Sequence, residues 1–279
     1  MKYSLGFSPC PNDCFIFDAM IHDKIDTEGL EFEPVMTDVE DLNQRAFSGE
    51  LDITKLSFHA FAYVANEYVL LNSGSALGNN CGPLLISKKD CSNAIPNIDD
   101  FKIAIPGKYT TANLLLGLYA PNAKNKVEMV FSDIEEAVLN GTVDAGVIIH
   151  ENRFTYQVKG LHKIIDLGEF YETKYQHPIP LGGIVVKRNI PNDIQQKVNR
   201  IIRQSVEFAF ANPDSSMDFI KKHSQEMDEE VMRKHIELYV NNYSIDLGKK
   251  GRGAITLLLA SGMITKIIPI IRGEFFIKI

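Results

Sequence analysis

The 279 residues contain no dense run of lysine and arginine, and the 36 acidic side chains outnumber the 29 basic ones to leave a formal net charge of −7. Neutralising several nucleic-acid phosphates takes a basic stripe, so nucleic acid is excluded as the expected partner. Long apolar stretches are also missing. Ala254 to Ala260 and Val143 to Ile149 rank with the longest, far short of the roughly 20 residues that span a bilayer, so no membrane span is expected. Cysteine is scarce, at positions 10, 14, 81 and 91. The Cys10-Pro11-Asn12-Asp13-Cys14 spacing fits neither a zinc pair nor a Cys-x-x-Cys redox motif, so no metal is expected and the thiols read as reduced. Gly74, Gly78 and Gly82 have the composition of a phosphate cradle without the Gly-x-Gly-x-x-Gly or P-loop spacing, and no nucleophile elbow, His-Glu-x-x-His or calcium loop occurs. The opening Met1-Lys2-Tyr3-Ser4-Leu5-Gly6-Phe7 enters a strand at once, without charged and apolar leader regions. With Met1 as the native start, a cytoplasmic location is expected.

What is present is an ordinary globular composition, 45% hydrophobic and 23% charged, in a chain long enough for two compact units. Tyr3 to Ser8 reads as a strand, Pro9 to Asn12 as a break, and Asp13 as the cap of a helix from Cys14 to Ile21. A strand at Leu30 to Val35, a helix at Val39 to Phe47 and a strand at Leu51 to Ser57 follow, with Ser57 placed to cap a helix from Phe58 to Ala65. Phe101 to Ile105, the helix capped by Thr110 or Thr111, the strand Val127 to Phe131, a Ser132-Asp133-Ile134-Glu135 capping box and the buried strand Val143 to Ile149 repeat the series. The pattern Gly-x-aliphatic-Asp-aliphatic occurs at Gly49 to Ile53 and again at Gly141 to Ala145. The expected fold is therefore α/β with two lobes of similar topology: 1–87 plus 188–279 as the larger, with a helical tail padding it, and 88–187 as the smaller. Pro83 to Ser87 and Gly182 to Lys187 are the expected connections.

In open α/β sheets ligands bind beyond the carboxyl ends of parallel strands, where loops and helix N-termini converge. That rule selects Ser8 to Asp13, including Asn12 and Asp13, then Lys55, Leu56 and Ser57, the loop of Ser73 and Ser75, Lys108 to Thr111, and His150 to Asn152. In an acidic protein the expected ligand is a small anionic metabolite held by local donors: hydroxyls, helix N-termini and a lysine. N-capping alone accounts for Ser57, Thr110 and Thr111 as readily as anion binding does, and the two roles coexist at one position. Of seven histidines, His150 directly follows an apolar strand at the ligand-facing end, where an imidazole of ordinary pKa, about 6.5, exchanges protons near neutrality. His59 is the second candidate.

Ser8-Pro9-Cys10-Pro11-Asn12-Asp13, Thr54-Lys55-Leu56-Ser57-Phe58-His59-Ala60, Leu71-Asn72-Ser73-Gly74-Ser75-Ala76-Leu77-Gly78, Cys81-Gly82-Pro83-Leu84 and Pro106-Gly107-Lys108-Tyr109-Thr110-Thr111-Ala112 together resemble the 1,4-dihydroxy-6-naphthoate synthase family of the futalosine route to menaquinone. The resemblance runs in order over roughly residues 3 to 190. It implies a two-lobed fold like that of type II periplasmic binding proteins, with the site in the interlobe cleft. It also implies cleavage of cyclic dehypoxanthinyl futalosine to the naphthoate, an aromatic carboxylate, without metal or organic cofactor. The family's histidine base maps onto His150 in Val147-Ile148-Ile149-His150-Glu151, and its substrate contacts onto Lys55-Leu56-Ser57 and Thr110-Thr111. Cys14 stands where the family more often has threonine.

Fold alone never fixes function. A solute-binding protein of the same fold and the chorismate dehydratase of the same pathway therefore stand as alternatives, followed by a ligand-sensing module. A homodimer is compatible with the sequence without being indicated by it.

Overall fold

The computed structural model describes residues 1–91, 97–150, 152–224 and 228–278. The chain opens with β1 (Lys2–Phe7), α1 (Pro11–Ile21), β2 (Glu31–Met36), α2 (Val39–Phe47), β3 (Ile53–Ser57), α3 (Phe58–Val64), β4 (Tyr68–Leu70) and β5 (Ala76–Gly78). It continues with β6 (Leu84–Ser87), β7 (Ile103–Ile105), α4 (Thr111–Tyr119), β8 (Lys126–Glu128), α5 (Ile134–Leu139), β9 (Ala145–Ile148), α6 (Asn152–Thr155), β10 (His162–Asp166), α7 (Leu167–Tyr175) and β11 (Ile179–Lys187). The helices α8 (Asn192–Ala211), α9 (Met217–His223), α10 (Glu229–Tyr239), α11 (Asn242–Ile245) and α12 (Gly248–Ile264) complete it.

Two sheets result. In the first the order is β2-β1-β3-β11-β4, with β5 also on β11; in the second it is β10-β6-β9-β7-β8. The first three strands of each series pair in parallel, β1 with β2 and β3, and β7 with β8 and β9. A strand antiparallel to them follows in each, β11 beside β3 and β6 beside β9. The expected lobe limits shift accordingly. Leu84–Ser87 pairs inside the second sheet and Ile179–Lys187 inside the first, because an extended segment satisfies its backbone groups on the sheet it enters rather than spanning free between two.

Capping chemistry differs from expectation at three helix starts. Proline at N1 lets α1 begin at Pro11 with Cys10 as N-cap, which frees the Asp13 carboxylate for other partners. Ser57 occupies the N-cap of α3 without a side-chain capping bond. No capping box forms at Ser132 to Glu135; a short 3-10 turn, Phe131–Asp133, precedes α5 and Glu135 is buried. Thr110 does cap α4, accepting from the Asn113 N–H.

One apolar cluster packs α1 and α8 against the first sheet through residues such as Phe17, Ile184 and Ile202. Another runs through both lobes, joining Leu56 and Phe58 to Leu115, Val147, Ile255 and Leu258. The last long helix, α12, therefore does not simply pad the larger lobe: Gly262 approaches Leu114 of α4 as well. The continuous apolar seam holds the two sheets together behind the cleft.

Candidate active site in the cleft between the sheets

The strand ends converge on one cavity of about 100 Å³. From the first sheet come Ser8, Asn12, Asp13, Lys55, Leu56 and Ser57; from the second, Thr110, Thr111, Ala112, Ile149 and His150; and from α10, His235 and Tyr239. Among the described residues no group of three or more His, Cys, Asp or Glu is arranged to hold a metal ion. No helix among them is long and apolar enough to cross a membrane.

Asp13 anchors the first-sheet wall. Its Oδ2 accepts from the Ser8 N–H at 3.1 Å and the Ser8 hydroxyl at 2.8 Å, and its Oδ1 accepts from Asn12 Nδ2 at 2.8 Å and Lys55 Nζ at 2.6 Å. Lys55 and Asp13 are both buried. The lysine expected to offer free charge to an anion is therefore already neutralised by a carboxylate, which leaves helix termini as the donors at this wall. The starts of α1, α3 and α4 all border the cavity, and first-turn amides such as those of Thr111 and Ala112 have no carbonyl one turn earlier to donate to.

The sheets touch across the cleft through the same termini. The Phe58 N–H, first of α3 and without an intrahelical acceptor, donates to Thr111 Oγ1 at 3.0 Å, and that hydroxyl donates on to the Leu181 carbonyl at 2.6 Å. His59 Nδ1 lies 3.1 Å from the Thr110 carbonyl. Burial pushes the pKa of His59 down to about 4, and the ring does not line the cavity. Glu40 of α2 accepts from the Tyr109 N–H at 3.3 Å and from Asn43 at 2.9 Å. Its carboxyl sits above the ordinary carboxylate range because it is desolvated.

His150 follows β9 with a left-handed backbone, φ 56°, a region uncommon outside glycine that histidine enters more readily than most residues. Its Nδ1 is 3.5 Å from Cys10 Sγ. Phe131 meets the ring edge-on with centroids 4.9 Å apart, and His235 lies nearly parallel, 6.0 Å away at 11°. Nε2 is buried and has no hydrogen-bond partner among the described residues. Glu151, which follows it, lies outside the described residues.

Geometry and sequence comparison meet here. The sequence profile described as menaquinone biosynthesis matches residues 3–262. A 1,4-dihydroxy-6-naphthoate synthase from Thermus thermophilus is 41% identical over 92% of each chain, and one from Streptomyces coelicolor is 38% identical over 95% of each. The chain belongs to the menaquinone biosynthesis family. A solved protein from Archaeoglobus fulgidus superimposes with a TM-score of 0.90 at 35% identity, over 96% of this chain and 98% of that one. The alkanesulfonate-binding protein of Xanthomonas axonopodis pv. citri gives 0.70 at 12% identity, over 96% and 94% of the two chains. A periplasmic sulphonate-binding protein from Escherichia coli gives 0.65 at 11%, over 99% and 94%. The fold is periplasmic-binding-protein-like.

In this member of the menaquinone biosynthesis family, Ser73 and Ser75 stand outside the cavity lining. The Ser73 hydroxyl donates to the Ile245 carbonyl at 2.8 Å, and the Ser75 carbonyl accepts from Ser244, so that loop anchors the helical tail. Sequence reasoning passed over His235. It is fully buried on α10, on one face with Met232, Ile236 and Tyr239, where a lone histidine among apolar residues reads as core. Asn12 uses its amide NH₂ on Asp13, so its Oδ1 is the acceptor 2.9 Å from His235 Nε2 and the imidazole is the donor. Burial, with His150 and Lys55 nearby, holds the His235 pKa well below the ordinary histidine value. A neutral imidazole thus backs His150, tied through Asn12 and Asp13 to Lys55.

Proposed function

We propose that the chain is a carbon–carbon lyase that converts cyclic dehypoxanthinyl futalosine to 1,4-dihydroxy-6-naphthoate, with His150 as general base. The observation that carries the reading is the identity of 41% and 38% to two such synthases over nearly their whole length, joined to an imidazole at the cavity wall whose Nε2 is unengaged.

The chemistry suits these residues. Removing a proton beside a carbonyl, followed by bond cleavage and aromatisation, needs one positioned base and donors for the developing oxyanion. His150 Nε2 takes the proton. The first-turn amides of Thr111 and Ala112 supply donors, Ser57 lines the wall beside them, and Leu56, Ile149 and Leu181 exclude water. The product's carboxylate is received by helix N-termini rather than by Lys55, which Asp13 already occupies. Asn12, Asp13 and Thr110 hold this wall in place rather than reacting.

The test is incubation of the protein with the cyclic futalosine, analysed by mass spectrometry, beside a parallel reaction with chorismate. Naphthoate formation from the first alone is the expected result. Folded protein that binds the futalosine without cleaving it would leave a binding function, and water loss from chorismate would move the chain to the dehydratase.

A further inference from the structure

We propose that Cys10 is a positioning residue that sets the tautomer of His150, holding the proton on Nδ1 so that Nε2 presents its lone pair to the cavity. This rests on the reading of His150 as the base, and it adds a residue to which no role has been attached.

The thiol is delivered with little freedom. Pro9 and Pro11 flank Cys10, each fixing its own φ, and Pro11 also confines Cys10 to extended backbone, observed at φ −66° and ψ 151°. Cys14 ties the turn from the far side, its thiol donating to the Pro9 carbonyl at 3.5 Å. Cys10 stands at the N-cap of α1 yet makes no side-chain capping bond; its sulfur instead lies 3.5 Å from His150 Nδ1. Nε2 can act as base only when unprotonated, so the base reading places the imidazole proton on Nδ1 and makes the sulfur its acceptor. Nδ1–H to Sγ is then the favoured polarity, and in a neutral imidazole it leaves Nε2 unprotonated.

The ring needs such a hold. His150 carries a left-handed backbone, and among the described residues the Phe131 edge and the His235 face are its other ring contacts. Those two contacts fix the plane of the ring. Neither chooses between its two nitrogens. Among the described residues, the Cys10 contact is the one that distinguishes Nδ1 from Nε2.

Nitrogen-15 NMR of the intact protein reads the tautomer directly, with the His150 signals assigned by their loss in His150→Asn. Wild type is expected to show a protonated Nδ1 and an unprotonated Nε2, and Cys10→Ala to move population toward the Nε2–H form. In the same variant kcat should fall about 10- to 100-fold, the usual effect of removing a partner that orients a working imidazole, while KM stays within about twofold. Cys10→Ser, which keeps an acceptor at nearly the same place, should recover part of both signals. An unchanged tautomer in Cys10→Ala, or a loss confined to KM, overturns the proposal. Undiminished turnover in His150→Asn would refute the base instead, and the Cys10-dependent tautomer shift would still establish the positioning contact.

Discussion

In the first sheet β3 runs straight into α3 at Ser57, whereas in the second β9 stops at Ile148 and the chain turns through a left-handed His150 before α6. Up to that point the two halves match closely. Gly49 and Gly141 both close a helix with left-handed backbone, φ 64° and 78°. Asp52 Oδ2 accepts from the Ser4 N–H at 3.1 Å, and Asp144 Oδ2 from the Lys102 N–H at 2.8 Å. The shared Gly-x-aliphatic-Asp-aliphatic pattern thus does one job twice: it ends a helix and pins the third strand to the first. The halves diverge at the strand's carboxyl end. There the first sheet supplies a closed ion pair and the second an imidazole whose buried Nε2 has no partner among the described residues, so on the proposed reading the repeat is scaffold and the departure from it carries the chemistry.

Substitutions at the two strand ends should therefore differ most. His150→Asn is expected to lower turnover by about 10²- to 10⁴-fold, the usual contribution of a positioned base, with substrate binding by calorimetry nearly unchanged. Ser57→Ala, at the corresponding end, should change turnover by less than about tenfold. Equal losses at both would break the contrast.

The ion pairs sharpen it on the side of stability. Lys55→Gln strips the cation from a carboxylate buried with it, which costs on the order of 3 to 5 kcal/mol, read as a lower midpoint in urea. In the second half Lys159 pairs with the buried Glu135 but is itself 47% exposed, and Asn152 also donates to that carboxylate. Lys159→Gln should cost about 1 kcal/mol or less.

A pH effect of intermediate size belongs to the contact between the sheets. His59 has its pKa pushed from 6.5 to about 4 by burial, so over that interval the unfolded chain binds more protons than the folded one and stability drops as pH falls. The contribution is full above about pH 6.5 and is worth about 3 kcal/mol, at roughly 1.4 kcal/mol per pH unit of depression. His235, also depressed by burial, adds in the same direction. Urea titrations between pH 7 and pH 4 should show the decline, and His59→Gln should flatten part of it. An unaltered slope would mean that His59 is solvated in the folded protein.

Much of this was legible in the residues. Strand-turn-helix punctuation located Val39–Phe47 to the residue, because capping and apolar spacing are local signals. The rule that ligands meet strand ends gathered Asn12, Lys55, Ser57, Thr111 and His150 into one cavity. What stayed hidden was pairing over long sequence distance. Nothing local announces that Asp13 will neutralise Lys55, that Thr111 will cap α3 from the opposite sheet, or that His235 will stack on His150. The misplacement of Ser73 and Ser75 has the same origin: both lie in a loop rich in small polar residues, and only the tail helices reveal that the loop serves them.

The smallest expected effect is the strictest test of the repeat. At Gly49 and at Gly141 a Cβ would meet nothing within 4 Å, so any cost of adding one comes from the backbone alone. A non-glycine residue in the left-handed region pays about 1 to 2 kcal/mol, offset by roughly 0.4 to 1 kcal/mol because alanine restricts the unfolded chain. Gly49→Ala and Gly141→Ala should each destabilise by about 0 to 1.6 kcal/mol and should agree within about 0.5 kcal/mol, since both amides close their helix in the same way, on Ala46 and Val138. Matching denaturation midpoints would mean that the two turns are equivalent in energy as well as in shape. A clear difference would mean that one sheet depends on its turn more than the other, and that the similarity of the halves stops at geometry.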